Sequence, residues 1–487
     1  MSLGSLLICS SMLFTGCAAP EILHSAADGQ SQPASSSQAE TSAQTEASSS
    51  GTGGTAGTTA TGGQSSAGEP PEMSSPTETP PSGNTAASST VSSGSSAKPS
   101  SSASIPQKPS NSKPSTTTTT TSKPSVSKPS ASKPTSPLKK SMVGYYTSWA
   151  ASSGYTPARI PVQKLTHINY AFAKIDPATG KIALPYPSSD RRNLQELVRL
   201  KQKAPHLKVL IAIGGWEYSG YFSDVAATAA GREKFAQSCV DFIREYGLDG
   251  VDLDWEYPVS GGMSGNHNRP QDKQNFTLLL RVLREKLNRQ GAADNRAYLL
   301  TIAGAASASY LNKIEPAAVA SLVDHIFLMA YDMHGPWDAY SDLNAPLTTP
   351  SESSPQYKAS VTDAVNAYLR QGVPAGKLVL GMPFYGYRYN GVSGNGLYSP
   401  YSSAASISYD ALHAGYLNNN AYTVVRHASG VPYLHGKGLF ISYDDPTSIA
   451  AKVRFAKSKS LAGAGAWALH HDAGGVLLDS AYRALLG

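Results

Sequence analysis

From residue 142 onward, short apolar runs rich in β-branched and aromatic residues alternate with longer segments that have the spacing of amphipathic helices. The helical spacing is clearest at 276–287, where one apolar stripe is formed by Phe276, Leu279, Leu280, Leu283 and Leu287. The apolar runs predict eight strands, at 142–147, 166–172, 208–213, 250–255, 298–303, 325–331, 378–384 and 463–468.

Eight strand and helix units in series predict an α/β fold, a (β/α)8 TIM barrel, with its active site at the C-terminal ends of the strands. A doubly wound open sheet is the alternative, but no Gly-rich phosphate-binding loop follows an early strand. The interval between the seventh and eighth strands is too long for one helix and is rich in tyrosine. We interpret its segment at about 387–439 as a small inserted α+β domain beside the barrel mouth.

Residues 18–140 differ in composition, because Ser, Thr, Pro, Gly and Ala dominate and aromatic or branched aliphatic residues are scarce. Such a segment cannot bury enough apolar surface to offset its ordering entropy, so we predict a disordered linker. Repeated Lys-Pro pairs near its end favour an extended, semi-stiff spacer. All five tryptophans follow the linker, in the predicted globular domain 141–487.

The net charge of +6 over 487 residues changes this picture little, since the predicted domain contains no cluster of Lys and Arg. We therefore expect no nucleic acid partner. The sequence also contains no apolar stretch of the roughly 18 residues that a membrane-spanning helix requires.

Residues 1–17 are interpreted as a signal peptide, because 1–16 form an apolar stretch too short to span a bilayer. Phe14-Thr15-Gly16-Cys17 is similar to a bacterial lipobox, which predicts lipidation of Cys17 and anchoring at the cell surface. An ordinary secretory signal is the alternative, since no Lys or Arg precedes the apolar stretch and Phe14 stands where Leu is usual. Of the three cysteines only Cys239 lies beyond this region, on the apolar face of a predicted helix, where we expect it to be buried.

The strongest chemical signal is an acidic strand, Asp252-Leu253-Asp254-Trp255-Glu256. Residues two apart on a strand share a face, so the three acids should point into the barrel while Leu253 and Trp255 face the helices. Carboxylates at such close range repel one another, and one or two of them must hold a proton. A metal site is a further option, but no pattern of histidines accompanies the acids, and we predict none.

Asp249, Asp252, Asp254 and Glu256 form the pattern Asp-x-x-Asp-x-Asp-x-Glu, which resembles the signature of the family 18 glycoside hydrolases, the chitinases and their relatives. The resemblance continues through 141–487 in chain order. It is carried by Gly144-Tyr145-Tyr146-Thr147-Ser148-Trp149, Tyr170-Ala171-Phe172-Ala173, Gly214-Gly215-Trp216, Met329-Ala330-Tyr331-Asp332, Gly381-Met382-Pro383-Phe384-Tyr385-Gly386 and Ala466-Trp467.

The resemblance implies a retaining mechanism in which the 2-acetamido oxygen of the substrate replaces a protein nucleophile. Glu256 is then the general acid and base, and Asp254 orients the acetamido group and stabilises the oxazolinium intermediate. Asp252 shares a proton with Asp254, Tyr331 binds the acetamido carbonyl, and Asp332 helps to hold the distorted sugar. Asp249 has the opposite strand parity and is expected to be structural.

Sugar binding is assigned by the same resemblance to residues at the strand ends: Tyr145, Trp149, Phe172, Gly215, Trp216, Tyr257, Met329, Trp337, Tyr385 and Trp467. Trp255 is expected to pack against the helices instead, and plain packing is the alternative for Trp149, Trp216 and Trp337. Two positions depart from the family pattern. Ala212 stands where a serine is usual, and Tyr387 stands where an arginine often follows the seventh strand, with Arg388 as a candidate replacement.

The function implied by the resemblance is a chitinase, acting as an extracellular or surface-bound monomer without a cofactor. Its partner is chitin or another N-acetylglucosamine polysaccharide, and it contacts a membrane only through the lipid anchor. An N-acetylglucosaminidase that acts on peptidoglycan is one alternative. A chitin-binding lectin is another, although inactive members of the family typically lack the glutamate that is present here as Glu256.

Overall fold

A computed structural model describes residues 138–352 and 357–487. The predicted signal peptide with Cys17, and nearly all of the predicted linker, lie outside these residues. The described strands are β1 (Ser141–Thr147), β2 (His167–Ile175), β3 (Ile182–Ala183), β4 (Lys208–Gly214), β5 (Gly250–Asp254), β6 (Leu299–Ala305), β7 (His325–Met329), β8 (Leu378–Pro383), β9 (Tyr385–Asn390), β10 (Ser403–Ser408), β11 (Thr423–Arg426), β12 (Pro432–Gly436), β13 (Leu439–Ser442) and β14 (Gly463–Trp467).

The α-helices lie between and after these strands, and all but α9 belong to the barrel. They are α1 (Pro187–Arg199), α2 (Gly215–Tyr218), α3 (Phe222–Ala227), α4 (Ala229–Tyr246), α5 (Asp272–Ala293), α6 (Ala308–Asn312), α7 (Pro316–Leu322), α8 (Val361–Arg370), α9 (Tyr409–Leu412), α10 (Pro446–Ser458) and α11 (Val476–Leu486). No helix within 138–352 or 357–487 is long and apolar enough to cross a bilayer.

Eight parallel strands close into a barrel in the order β1, β2, β4, β5, β6, β7, β8 and β14. Closure is complete because β1 pairs in parallel with both β2 and β14. The predicted (β/α)8 barrel is therefore confirmed, with each predicted strand in place. Four of the strands end earlier than predicted, β5 at Asp254, β7 at Met329, β8 at Pro383 and β14 at Trp467. After β5 and β7, the residues that follow lie in loops at the barrel mouth.

Alternation along the strands separates two apolar cores. Met142, Tyr146 and Leu253 belong to the core between barrel and helices, whereas Tyr145 and Phe327 belong to the core inside the barrel and its mouth. Each set shares a face because successive side chains of a strand point in opposite directions.

Helix α4 shows how local sequence fixes these elements. The Thr228 hydroxyl accepts a hydrogen bond from the N–H of Gly231 at its start, and Gly247 ends it in the left-handed conformation at φ 69°. Its apolar face buries Phe235 and Cys239 completely, which confirms the expected burial of the cysteine.

A second, antiparallel sheet of five strands occupies the chain between β8 and α10, in the order β10, β9, β13, β12 and β11. Together with α9 it forms the expected α+β insertion, although its strands extend over 385–442 rather than 387–439. Alternation along β9 gives the sheet two distinct faces. Tyr385, Tyr387 and Tyr389 belong to the core at the barrel mouth, whereas Leu434 on β12 and Ile441 on β13 lie on the opposite face.

Candidate active site

The innermost acid of the predicted group is Asp252, which is completely buried on β5. Its Oδ2 accepts a hydrogen bond of 2.6 Å from the hydroxyl of Tyr145, and its Oδ1 accepts one of 2.5 Å from the hydroxyl of Thr301. Thr301 reaches Asp252 because the two residues are register partners on β5 and β6. Burial raises the pKa of Asp252, and these two hydrogen bonds act in the opposite direction.

Asp254, two residues further along β5, is only 4% exposed. Its Oδ1 has no hydrogen-bond partner among the described residues. Burial, followed by the charges of Glu256 and Asp252, holds the pKa of Asp254 well above its usual value. A buried carboxyl that has an unpaired oxygen and lies between two other acids favours its protonated form, or a ligand that offers an N–H donor.

Glu256 lies two residues beyond the end of β5, at the rim of the barrel. Its backbone N–H donates to the hydroxyl of Ser219 at 2.8 Å, and its carbonyl accepts from the amide of Asn266 at 2.9 Å, which fixes the main chain at this point. Desolvation raises the pKa of Glu256 to about 7; the charge of Asp332 adds to the shift and a hydrogen bond to Tyr257 opposes it. A carboxyl with that pKa can hold a proton near neutral pH and then release it, as a general acid requires.

Tyr331 and Asp332 face the acids from the loop after β7. Asp332 adopts the left-handed conformation at φ 56°, and its N–H donates to Oδ1 of Asn344 at 2.9 Å. Its Oδ1 accepts hydrogen bonds from the hydroxyls of Tyr385 and Tyr387, the latter at 2.8 Å. The structure thus brings the five predicted catalytic residues to one end of the barrel.

Aromatic rings line the same mouth. The indole of Trp467, at the end of β14, lies 5.6 Å from the ring of Phe172 in a stacked arrangement and 5.4 Å from the ring of Tyr145. Gly215 lets Phe172 approach, because it has φ 71° and a methyl group there would lie 2.6 Å from the phenyl ring. These contacts hold the half-buried indole of Trp467 at the barrel mouth, where the acids also lie.

The remaining predicted binding residues differ in their surroundings. Trp149 is 39% exposed and packs edge-on against His470 at 6.2 Å. Trp337 packs edge-on against Tyr387 at 5.6 Å. Trp216 and Met329 are partly exposed near the strand ends. Tyr257, adjacent to Glu256, packs against Tyr310 at 5.9 Å.

Trp255 lies on the other side of the strand, as expected from its parity. It is 2% exposed and packs between Phe222 and Phe276 at 5.3 and 5.4 Å. Asp249 is at the opposite end of the barrel, where its carboxylate binds Lys201 at 2.8 Å and Arg296 at 2.6 Å. Trp255 therefore packs on the outside of the barrel, and Asp249 braces the end opposite the mouth.

Arg388 does not replace the arginine that Tyr387 displaces, and this expectation was wrong. Successive residues of β9 face opposite sides of the insertion sheet. Tyr387 therefore reaches Asp332, while the guanidinium of Arg388 donates to the hydroxyl of Tyr416 at 3.0 Å on the far side. Ala212, the other departure, is completely buried beside Asp252 as its register partner on β4.

Several residues that complete the site were missed by the sequence reasoning: Ser219, Asn266, Thr301 and Asn344. Each is a single polar residue in a different part of the chain. Only folding brings it into hydrogen-bond contact with one of the acidic residues. Of these four, only Thr301 could have been identified from the sequence, because it is a polar residue within an otherwise apolar barrel strand. No cluster of three or more His, Cys, Asp or Glu with metal-binding geometry occurs among the residues described.

An acid array at the C-terminal end of a (β/α)8 barrel, flanked by aromatic rings, defines a class of glycoside-cleaving enzymes. The model of the Glycosyl hydrolases family 18 matches residues 141–472. The chain belongs to this family, and the predicted membership is confirmed.

Named relatives agree with this assignment. Chitinase A1 of Niallia circulans is 44% identical over 397 residues, which cover 68% of this chain and 56% of the relative. Chitinase B of Serratia marcescens is 32% identical over 393 residues, which cover 66% of this chain and 75% of the relative. The chain thus spans little more than half the length of Chitinase A1.

Solved structures show the same relationship. Chitinase ChiA74 from Bacillus thuringiensis superposes with a TM-score of 0.68 at 36% identity, covering 72% of this chain and 70% of that one. A family 18 N-acetylglucosaminidase from Paenibacillus barengoltzii superposes with a TM-score of 0.65 at 37% identity, covering 71% of this chain and all of the other.

Proposed function

We propose that this protein is a chitinase, which hydrolyses β-1,4 bonds between N-acetylglucosamine units with retention of configuration. The observation that carries the proposal is the position of Glu256. This acid, with a pKa of about 7, stands at the rim of the barrel beside the unpaired carboxyl of Asp254.

In the first step, Glu256 donates its proton to the glycosidic oxygen as the bond to the anomeric carbon breaks. The acetamido oxygen of the same sugar attacks that carbon, and a cyclic oxazolinium forms. Asp254 accepts a hydrogen bond from the acetamido N–H, which satisfies its Oδ1 and places a negative charge beside the positive ring. Tyr331 donates to the acetamido oxygen, and Asp332 holds the distorted sugar.

In the second step, Glu256 is a carboxylate and removes a proton from the attacking water. Water adds to the anomeric carbon from the face that the leaving group occupied, because the acetamido oxygen covers the other face. Asp252, held by Tyr145 and Thr301, shares a proton with Asp254 and so adjusts its charge between the two steps. No second protein carboxylate is needed as a nucleophile.

Sugar rings stack on the aromatic side chains of the mouth, with Trp467 beneath the sugar that is cleaved. Phe172 stacks against the indole and Tyr145 packs at an angle to it, and together they hold its orientation. An orientation that is fixed before binding lowers the entropy lost when the sugar stacks.

An N-acetylglucosaminidase activity is a second candidate function, supported by the similarity to the N-acetylglucosaminidase of Paenibacillus barengoltzii; for this protein we consider peptidoglycan as its substrate. Digestion of chitohexaose and of purified peptidoglycan side by side, with mass spectrometry of the products, distinguishes the two. Chito-oligosaccharides from the first substrate and no release from the second would support a chitinase. Release of peptidoglycan fragments alone would contradict it.

We also propose that the protein is exported and anchored by lipidation of Cys17, with residues 18–140 as the spacer to the enzyme domain. The support is the sequence Phe14-Thr15-Gly16-Cys17 and the composition that follows it. Two acyl chains give stable membrane anchoring where one is marginal. The intact protein should therefore partition with membranes, and Cys17→Ala should release it. A wild-type protein that is wholly soluble, with an unmodified N-terminus beyond Cys17, would support simple secretion instead.

A further inference from the structure

A buried cluster of one histidine and two aspartates lies in the segment that follows the catalytic loop of β7. The imidazole of His334 stands between two carboxylates, with Nδ1 at 3.0 Å from Asp338 Oδ2 and Nε2 at 3.6 Å from Asp342 Oδ2. The side chains of the three residues are 3%, 13% and 3% exposed, respectively. The reaction described above uses none of them.

The same segment carries two residues of the substrate cleft, Asp332 at its start and Trp337 at its centre. The indole of Trp337 lies directly on the backbone, since a methyl group at Gly335 would be 2.3 Å from the ring. Its other neighbour is Tyr387 at 5.6 Å, whose hydroxyl donates to Asp332. The position of the segment therefore decides where the indole meets a sugar.

Asp338 connects the cluster to the main chain that carries the indole. Its Oδ2, which contacts His334, also accepts from the N–H of Gly335 at 3.1 Å. Tyr401 holds the same turn from the insertion sheet, because its hydroxyl contacts the carbonyls of Pro336 at 2.8 Å and Asp338 at 2.5 Å. The turn at 335–338 is thus fixed on one side by the insertion and on the other by His334.

We propose that His334 is a positioning residue that, through Asp338 and Asp342, holds Trp337 in place to stack on a chito-oligosaccharide. The proposal rests on the proposed chitinase function. The imidazole presents one ring nitrogen to each carboxylate, whereas a glutamine side chain carries a single nitrogen and cannot reach both in the same way. Without the imidazole, the two buried carboxylates face each other and repel. They then move apart, which displaces the turn at 335–338.

Binding of chitotetraose, measured by calorimetry in the non-hydrolysing Glu256→Gln background, tests this coupling without relying on turnover. His334→Gln and Trp337→Ala should each weaken binding by about tenfold, which corresponds to roughly 1.4 kcal/mol. The double variant should bind within about twofold of Trp337→Ala alone, because two residues that act through one contact are not additive. His413→Gln, a change at an exposed histidine of the insertion, is the matched control and should bind like the background.

Two results would overturn the proposal: unchanged affinity in His334→Gln, or losses that multiply in the double variant. If His334→Gln is too unstable to purify, Asp342→Asn enters the same cycle, since it keeps the side-chain volume and removes one charge of the cluster. The proposed function is tested separately by the hydrolysis of chitohexaose by the wild-type protein. Absence of hydrolysis contradicts the chitinase, and absence of any chitotetraose binding contradicts both.

Discussion

The hydroxyl of Thr301 on β6 donates a 2.5 Å hydrogen bond to Asp252 on β5, inside the barrel. This bond, with a second one from Tyr145, gives the deepest acid two fixed donors, while Oδ1 of Asp254 has none among the described residues. The acids therefore differ sharply in their surroundings although they are two residues apart. Carboxyl groups whose environments separate their pKa values can take different roles in one reaction.

Replacement of Thr301 by valine tests this difference. Thr301→Val keeps the shape of the side chain and removes one donor, so the pKa of the buried Asp252 should rise further. We expect kcat to fall by about 10-fold or more, since an unsatisfied buried acceptor costs roughly 1–3 kcal/mol, with little change in KM. Thr277→Val is the matched control, because the buried hydroxyl of Thr277 has no hydrogen-bond partner in the described part of the chain. Equal kcat values in the two variants would remove Thr301 from the mechanism.

Loss of the general acid should be far more severe. Glu256→Gln cannot protonate the leaving oxygen, so we expect hydrolysis of chitohexaose to fall by at least about 10²- to 10⁴-fold. Binding of the oligosaccharide should survive, because the amide has nearly the same shape. Glu217→Gln, at an exposed glutamate close to the end of β4, should keep full activity. A Glu256→Gln enzyme with near wild-type turnover would contradict the proposed role.

The sequence predicted the barrel and its acids because both depend on local alternation. The parity of Asp252, Asp254 and Trp255 on one strand sets their directions before any neighbour is known. The same rule applied to β9 would have placed Arg388 opposite Tyr387, and the error came from treating adjacent residues as interchangeable. The contacts of Ser219 and Asn266 with Glu256 could not be predicted, since each joins elements that approach only in the folded chain.

The pH dependence of activity follows from the raised pKa of Glu256. A general acid acts in its protonated form, so kcat/KM should decline above about pH 7, by tenfold per pH unit at the limit. The charge of Asp332 contributes to the raised pKa, and Asp332→Asn should therefore shift this basic limb of the residual activity to lower pH. The profile is measured with a soluble chito-oligosaccharide. If the basic limb lies at the same pH in the wild type and in Asp332→Asn, the charge of Asp332 does not raise the pKa of Glu256.

The raised pKa also predicts how stability depends on pH. The folded state binds the proton of Glu256 more tightly than the unfolded state, so the group's contribution to stability is complete below about pH 4.5 and is lost as the pH rises through about 7. Glu256→Gln cannot titrate and so removes this loss of stability at high pH. The Tm of the variant should therefore exceed that of the wild type by more at pH 8 than at pH 4. Glu217→Gln, at an exposed glutamate, is measured at the same two pH values as the matched control. A gain for Glu256→Gln that does not depend on pH would contradict the buried, protonated state.

Product stereochemistry provides the most direct test of the chemistry. If the acetamido oxygen attacks the anomeric carbon, displacement occurs twice and the product keeps the β configuration, which NMR of freshly formed product detects. A thiazoline analogue of N-acetylglucosamine resembles the cyclic intermediate and should inhibit, because the proposed roles of Asp254 and Tyr331 are to bind that intermediate. Asp254→Asn should lose activity, since an amide cannot balance the positive charge of the oxazolinium. A product that forms first as the α anomer would show a single displacement by water, and the substrate-assisted mechanism would be wrong for this protein.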